Sequence, residues 1–228
     1  MPCVRTLAGA ACSTLMSTGL NSVTWDLRYP GATSFPGMIL WGGSVAGPTA
    51  SPGTYQVRMT VDGQVQAHPF AVRRHPLYSA TDEDLGEQFA LAIRIRDTTS
   101  EANSTVIRIR DIKAQVADRI SKSPDARLKA AGQTLTTNLT AVEEAIYQVR
   151  NQSGQDPLNF PIKINNRLAS LLSVVNRGDG KPIGNTIPIF IDLVRELKEQ
   201  TDRFAAVLSK DLAAFNVETR RLGLDVVQ

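Results

Sequence analysis

From Leu85 to Ile120 one apolar stripe recurs at spacings of three and four: Leu85, Phe89, Ala92, Ile95, Thr99, Ala102, Val106, Ile109, Ile112, Val116 and Ile120. That period places every member on one face of an α-helix. Thr81, three residues ahead of Asp84, supplies the capping hydroxyl and carboxylate that open such a helix. At about 1.5 Å per residue, roughly 40 helical residues span about 60 Å. A helix that long must bury its stripe sideways against other helices.

The following sequence provides them. Ser123-Pro124 ends the first helix, and Leu128, Leu135, Leu139, Val142, Ile146 and Val149 mark a return helix, weakened by Gly132 in its middle. After a polar turn from Asn151 to Pro161, the residues Ile164, Leu168, Leu171 and Val175 predict a third, shorter helix, broken by Arg177-Gly178-Asp179-Gly180-Lys181-Pro182. A last helix, from about Ile187 to Phe215, carries Phe190, Val194, Leu197, Thr201, Phe204, Leu208, Leu212 and Phe215 at heptad-like spacing. Four helices with short connections predict an antiparallel bundle.

Upstream of His75-Pro76 the pattern is that of strands. Val23, Trp25 and Leu27 alternate with polar residues, as do Tyr55, Val57, Met59 and Val61. Asp62-Gly63 tolerates the positive φ of a two-residue hairpin turn, and Val65, Ala67 and Phe70 to Val72 form the returning strand. Met59 and Phe70 are expected to face one core. Phe35 to Trp41 reads as a further strand, followed by a Gly/Pro-rich loop from Gly42 to Pro52. A complete immunoglobulin-like domain needs about seven strands in about 100 residues, and this stretch offers fewer. The expectation is an α+β chain with its two parts segregated: an ill-defined segment over 1–18, a partial immunoglobulin-like β-sandwich over 19–76, and a helical bundle with one very long helix over 77–228.

Composition narrows the function classes. The 25 basic residues are set against 22 acidic ones along the whole length, a net charge of +3 that implies no nucleic-acid partner. No run approaches the roughly 20 apolar residues of a membrane span. Met1 to Met16 has a single Arg5, a short apolar run and Cys12, too thin a pattern to define a signal peptide. Both cysteines, Cys3 and Cys12, lie in that stretch, so they offer no thiolate set elsewhere.

Catalytic patterns are not found. His68 and His75 have no partner for a zinc set and read as surface or turn residues. Ser44, in Gly42-Gly43-Ser44-Val45-Ala46-Gly47, lacks the second glycine and the following helix of a nucleophile elbow. Gly178-Asp179-Gly180 follows a helix rather than a strand, so it reads as a turn rather than a dinucleotide loop. Glu143-Glu144 is expected on a solvated helix face. Trp25, Trp41 and Tyr55 are expected to fill the sandwich core rather than form a sugar platform, with Tyr29 and Phe35 exposed. No catalytic, cofactor-binding or metal residues are therefore assigned, and the isolated chain is read as a non-enzyme.

Two polar patterns remain as candidate ligand or partner patches. Ile93-Arg94-Ile95-Arg96-Asp97 recurs as Ile107-Arg108-Ile109-Arg110-Asp111, fourteen residues later. Two heptads separate the copies, so Arg94, Arg96, Arg108 and Arg110 lie along nearly one face. They form either an exposed stripe paired internally, Arg94 to Asp97 and Arg108 to Asp111, or an anion- or partner-docking stripe. The second is the turn with Asn151, Gln152, Gln155, Asp156 and Asn159. Its amides either satisfy a tight interhelical link, with Gly154 left-handed and Asp156 or Asn159 capping the next helix, or read sugar hydroxyls or peptide backbone.

Gly19-Leu20-Asn21, Trp25 to Pro30, Phe35 to Trp41, Gly47-Pro48, Pro52 to Tyr55 and Tyr147 to Pro161 together resemble the C-terminal part of large bacterial exported proteins. Those carry an N-terminal β-propeller of BNR or sortilin-like repeats and are often labelled glycosyl hydrolase-like or photosystem-assembly-factor-like. The Gly-x-Asn, Trp-Asp and Gly-Thr-Tyr elements also resemble the immunoglobulin-like domain of the flagellar hook-capping protein. The resemblance covers nearly everything after Gly19. It implies an exported, periplasmic or extracellular setting, an upstream propeller as partner, and a non-catalytic structural or interaction role. The alternative it leaves open is a glycan- or peptide-binding module of a secreted hydrolase-like protein. No propeller repeat is present here, so no propeller activity carries over.

Overall fold

The computed structural model describes residues 19–228 and the backbone of Cys3–Thr6 and Ala11–Cys12. The expectation for residues 1–18 otherwise lies outside the described residues. The chain is α+β. Strands β1 (Cys3–Thr6), β2 (Ala11–Cys12), β3 (Gly53–Val61) and β4 (Gln64–Val72) form one antiparallel sheet in the order β2-β1-β3-β4. Helices α1 (Asp82–Ser121), α2 (Ala126–Ile146), α3 (Ile164–Val175), α4 (Thr186–Val207) and α5 (Ala213–Arg221) follow.

The long helix forms where its stripe demands. Thr81 and Asp84 exchange a capping box, with Asp84 N–H donating to Thr81 Oγ1 at 3.1 Å and Thr81 N–H to Asp84 Oδ2 at 2.9 Å. Ala92, Ile95, Ala102, Val106, Ile109, Ile112 and Val116 are buried. They pack against α2 and α3, while α2 packs on α4 and α5. Asp125 caps α2 by accepting Arg127 N–H and Leu128 N–H, both at 2.9 Å, and its carboxylate also meets Arg221 of α5 at 2.8 Å.

Gly132 has a role that helix propensity does not suggest. It is buried, and a Cβ there would lie 2.5 Å from Ile120 Cδ1, 3.0 Å from Phe215 Cε2 and 3.2 Å from Val116 Cγ1. The missing side chain lets α1 and α5 close on α2, which offsets the roughly 1 kcal/mol that glycine costs inside a helix.

The last helix is longer and less regular than its heptads predict. Phe190, Leu193 and Leu197 face the core, whereas Val194 is exposed. A wide π turn at Leu208–Leu212 then shifts the phase, so that Leu212, Phe215 and Thr219 return to the interior through α5.

The β-part departs further from expectation. The hairpin turn forms as predicted, with φ +48° at Asp62 and +80° at Gly63. In its register Tyr55 lies opposite Phe70 and Met59 opposite Gln66, so Met59 and Phe70 do share a face. They do not share a core. Trp25 packs on Tyr55 and Phe70, with ring centroids 5.7 and 6.1 Å away, while Val57, Met59 and Val61 stay 36%, 37% and 38% exposed.

Residues 21–28 and 35–41 are not strands. Leu27 sits at φ +61°, and Arg28 N–H donates to Asp26 Oδ1 at 2.9 Å, which turns the chain where alternation had predicted extension. Pro36-Gly37 makes a turn inside the second stretch, with Met38 N–H donating to Phe35 O at 3.2 Å and Gly37 at φ +74°. Local turn chemistry outweighs apolar content in both places.

Candidate functional site

In place of strands, residues 27–32 and 45–50 run antiparallel as an irregular ribbon. Ala50 N–H donates to Leu27 O, Tyr29 N–H to Pro48 O and Ala32 N–H to Val45 O, at 2.7 to 2.9 Å. Loop 33–44 between them is laid across α1, α3 and the end of α2 as a strap. Tyr29 stands at the root of the ribbon, its ring 4.8 Å from that of Phe89 on α1. Burial, and secondarily the neighbouring Tyr55, raise its phenol pKa above the usual value.

The helices hold the strap by its main chain. Ser100 Oγ accepts Thr33 N–H at 3.1 Å, and Asn103 Nδ2 donates to Thr33 O at 2.7 Å. Asn165 Nδ2 donates in turn to Asn103 Oδ1 at 3.1 Å, which fixes which end of the buried Asn103 amide faces the strap. The Tyr147 hydroxyl accepts Ile39 N–H at 3.1 Å and donates to Gly37 O at 3.4 Å. Asn166 grips Trp41 at both ends, accepting its N–H at 2.7 Å and donating to its carbonyl at 2.9 Å. Gly43 then passes so close to α3 that a Cβ would lie 2.9 Å from that of Ala169, and Ser44 N–H reaches Ala169 O at 3.3 Å.

One strap side chain is an anchor. Phe35 is buried edge-on to Tyr147, centroids 5.1 Å apart at 86°. The Arg110 guanidinium covers both rings, 4.7 Å from Phe35 and 5.3 Å from Tyr147. Burying such a ring contributes about 1.5–3 kcal/mol, and edge-to-face pairing about 0.5–1.5 more. Arg110 is itself held by Glu143, Nε to Oε1 at 2.7 Å, and Lys113 binds the other oxygen at 2.9 Å. Glu143 is therefore a buried ion-pair partner, its side chain 6% exposed, and not the solvated carboxylate its place beside Glu144 predicts.

The repeated arginines separate in a revealing way. Arg96 and Arg110 lie about 21 Å apart along α1; Arg110 roofs the strap's Phe35, and Arg96 donates to Pro30 O of the adjoining ribbon at 3.0 Å. Arg94 instead lies 5.0 Å over Phe190 of α4, and Arg108 is exposed. The expected i,i+3 pairs are not those formed: Asp97 meets Arg96 at 2.7 Å, and Asp111 accepts from Gln115 at 2.8 Å.

The Asn151 to Asn159 turn folds on itself. Asp156 accepts Gln152 N–H at 2.6 Å and Ser153 N–H at 2.8 Å, so it ties the loop before it and does not cap α3. Those backbone bonds, Gln152 first, hold its carboxyl below the usual range. Gly154 is not left-handed. Gln152, Gln155 and Asn159 are exposed, and Asn151 is half-buried. Gln148 closes the turn by donating to Pro161 O at 2.9 Å, and Arg150 covers Phe160 at 4.0 Å. This turn makes no hydrogen bond or ion pair with the four arginines among the described residues.

Phe35 and Tyr29 were expected at the surface, but each packs on the bundle; Trp41 was expected in a core, but is 41% exposed. Ser44 Oγ accepts Ala46 N–H at 3.0 Å and is a turn serine. His68 and His75 are exposed. Among the described residues no group of three or more metal-ligating side chains is placed to hold an ion, and no helix is long and apolar enough to cross a membrane. No family model, curated protein or solved structure matches the chain.

Proposed function

We propose that the chain is a non-catalytic structural and interaction module: a partial immunoglobulin-like β-unit carried on a helical bundle, in the C-terminal part of an exported protein whose other part is a β-propeller. The observation that carries this reading is the contrast between its two halves. The bundle buries a continuous apolar core, whereas the hairpin leaves Val57, Met59, Val61 and Val65 at 36–58% exposure. A sheet with open apolar faces beside a fully packed bundle suits a surface completed by another layer. The residue-level resemblance of Gly19 to Tyr55 and Tyr147 to Pro161 supports an exported propeller protein as the source of that layer. On α4, Ile187 and Ile191 are 50% and 56% exposed, a second apolar surface suited to a neighbouring domain.

The test is genetic and direct. Reading the coding DNA upstream of Met1 for propeller repeats, in frame or displaced by a frameshift, is expected to find them. A native promoter and ribosome site immediately before Met1, with no such repeats, would sink the reading.

A further inference from the structure

The hydrogen bonds that dock loop 33–44 are made to its main chain. Ser100, Asn103, Tyr147, Asn166 and the Ala169 carbonyl all bond to strap backbone, at Thr33, Gly37, Ile39, Trp41 and Ser44. Backbone groups are common to every sequence. The strap's own identity enters at Phe35 in its aromatic slot, at the Pro36-Gly37 turn that follows it, at Met38, packed against the core, and at the Gly42-Gly43 pair, where Gly42 has φ +62° and Gly43 presses on Ala169. Main-chain bonds with a few side-chain pockets are how a protein recognises a segment of another polypeptide.

We propose that the face formed by α1, α3 and Tyr147 is a peptide-binding groove for a partner protein's segment bearing an aromatic residue, a Pro-Gly turn followed by an apolar residue, and a Gly-Gly pair seven and eight positions after the aromatic, and that the chain's own loop 33–44 fills it in cis. The proposal rests on the reading of the chain as an interaction module and gives that module its ligand class. The tethered strap competes at an effective concentration in the millimolar range. A partner therefore gains the groove when it binds more tightly than the strap or when the strap is loosened.

The experiment uses the full chain and two fluorescein-labelled peptides. One has the sequence of residues 30–46; the other keeps only the residues at positions 35–38, 42 and 43 of that sequence, Phe-Pro-Gly-Met and Gly-Gly, with all others changed. Phe35→Ala loosens the strap while leaving the groove intact. Ile39→Pro does the same by deleting the N–H given to Tyr147, and serves if the first variant loses its helical circular dichroism. Fluorescence anisotropy is expected to show one-to-one binding of both peptides to the loosened chain, at least 10-fold tighter than to the wild type. Replacing Phe by Ala in either peptide is expected to weaken binding at least 10-fold. The proposal is overturned if a helical, strap-loosened chain binds neither peptide, if the wild type binds equally well, or if only the native-sequence peptide binds. Absence of upstream propeller repeats would defeat the module's proposed setting and leave this titration unaffected; failure of the titration would leave that setting standing.

Discussion

Asn166 holds Trp41 by both ends of its backbone, accepting the N–H at 2.7 Å and donating to the carbonyl at 2.9 Å. Asn216 repeats the arrangement at Val227, donating to its carbonyl at 2.9 Å and accepting its N–H at 2.8 Å. A carboxamide matches a peptide group donor for acceptor, so one side chain replaces one rung of a β-ladder. Asn166→Ala is expected to lower stability by about 1–3 kcal/mol, since it removes the partners of two backbone groups. Asn166→Asp keeps the acceptor but sets a carboxylate against the Trp41 carbonyl, so it should not restore the loss. Urea unfolding followed by circular dichroism measures both; a neutral Asn166→Ala would mean that water replaces the clasp.

Glu143→Gln should cost about 1–2 kcal/mol. Removing one partner of a fully buried pair costs about 3–5 kcal/mol, but Arg110 and Lys113 are 40% and 26% exposed and water will take part of their charge. Because Arg110 also roofs Phe35, the loss should be smaller in a Phe35→Ala background. A double-mutant cycle with zero coupling would contradict that linkage.

Gly132→Ala tests whether packing outweighs propensity. Alanine gains about 1 kcal/mol of helix preference. Its Cβ would crowd Phe215 Cε2 at 3.0 Å and Val116 Cγ1 at 3.2 Å, although Ile120 Cδ1 can swing away. Overpacking of this kind costs about 1–3 kcal/mol, so a net loss of about 1 kcal/mol is expected. A higher urea midpoint for the variant would show that the helices part easily there.

Acidification should destabilise the chain through the carboxylates whose pKa the fold lowers, among them Asp84, Asp125 and Asp156. Thr81 backbone and hydroxyl bonds lower the Asp84 pKa, the Arg221 bond and then Leu128 N–H lower that of Asp125, and Gln152 and Ser153 N–H lower that of Asp156. A depressed folded-state pKa means that the unfolded chain takes up protons first. The contribution is complete above the ordinary carboxylate range, near pH 4, and is lost as pH falls through the lowered values. Urea midpoints measured from pH 6 down to pH 2 should fall in the acidic limb, and Asp125→Asn should shallow that fall. An unchanged slope would remove Asp125 from the account.

The helices were legible because their signal is periodic and long: the stripe is buried from Ala92 to Val116 and half-buried at Leu85, Phe89 and Ile120. The strap was not, nor was the stretch leading into it, because alternation around Trp25 and apolar content around Met38 resemble strands until Asp26 and Pro36-Gly37 are given their turn roles. Its seat was hidden for a different reason. Asn103, Asn165 and Asn166 sit at core positions of α1 and α3, where an amide is costly unless bonded, and their partners lie 62 to 125 residues away in sequence. A polar residue within an apolar stripe was the available clue. Within the arginine echo, Arg110 meets the strap and Arg96 the adjoining ribbon at Pro30, whereas the aromatic slot between Phe35 and Tyr147 had no local signature.

The separation between Trp41 and Asn166 also sets a clock during synthesis. The clasp spans 125 residues, so at about 5–20 residues per second the ribosome needs about 6–25 s after making Trp41 before its partner exists. Throughout that interval the segment around Phe35 is available to any chaperone that recognises an unburied aromatic, and a pause before α3 would lengthen its exposure in proportion.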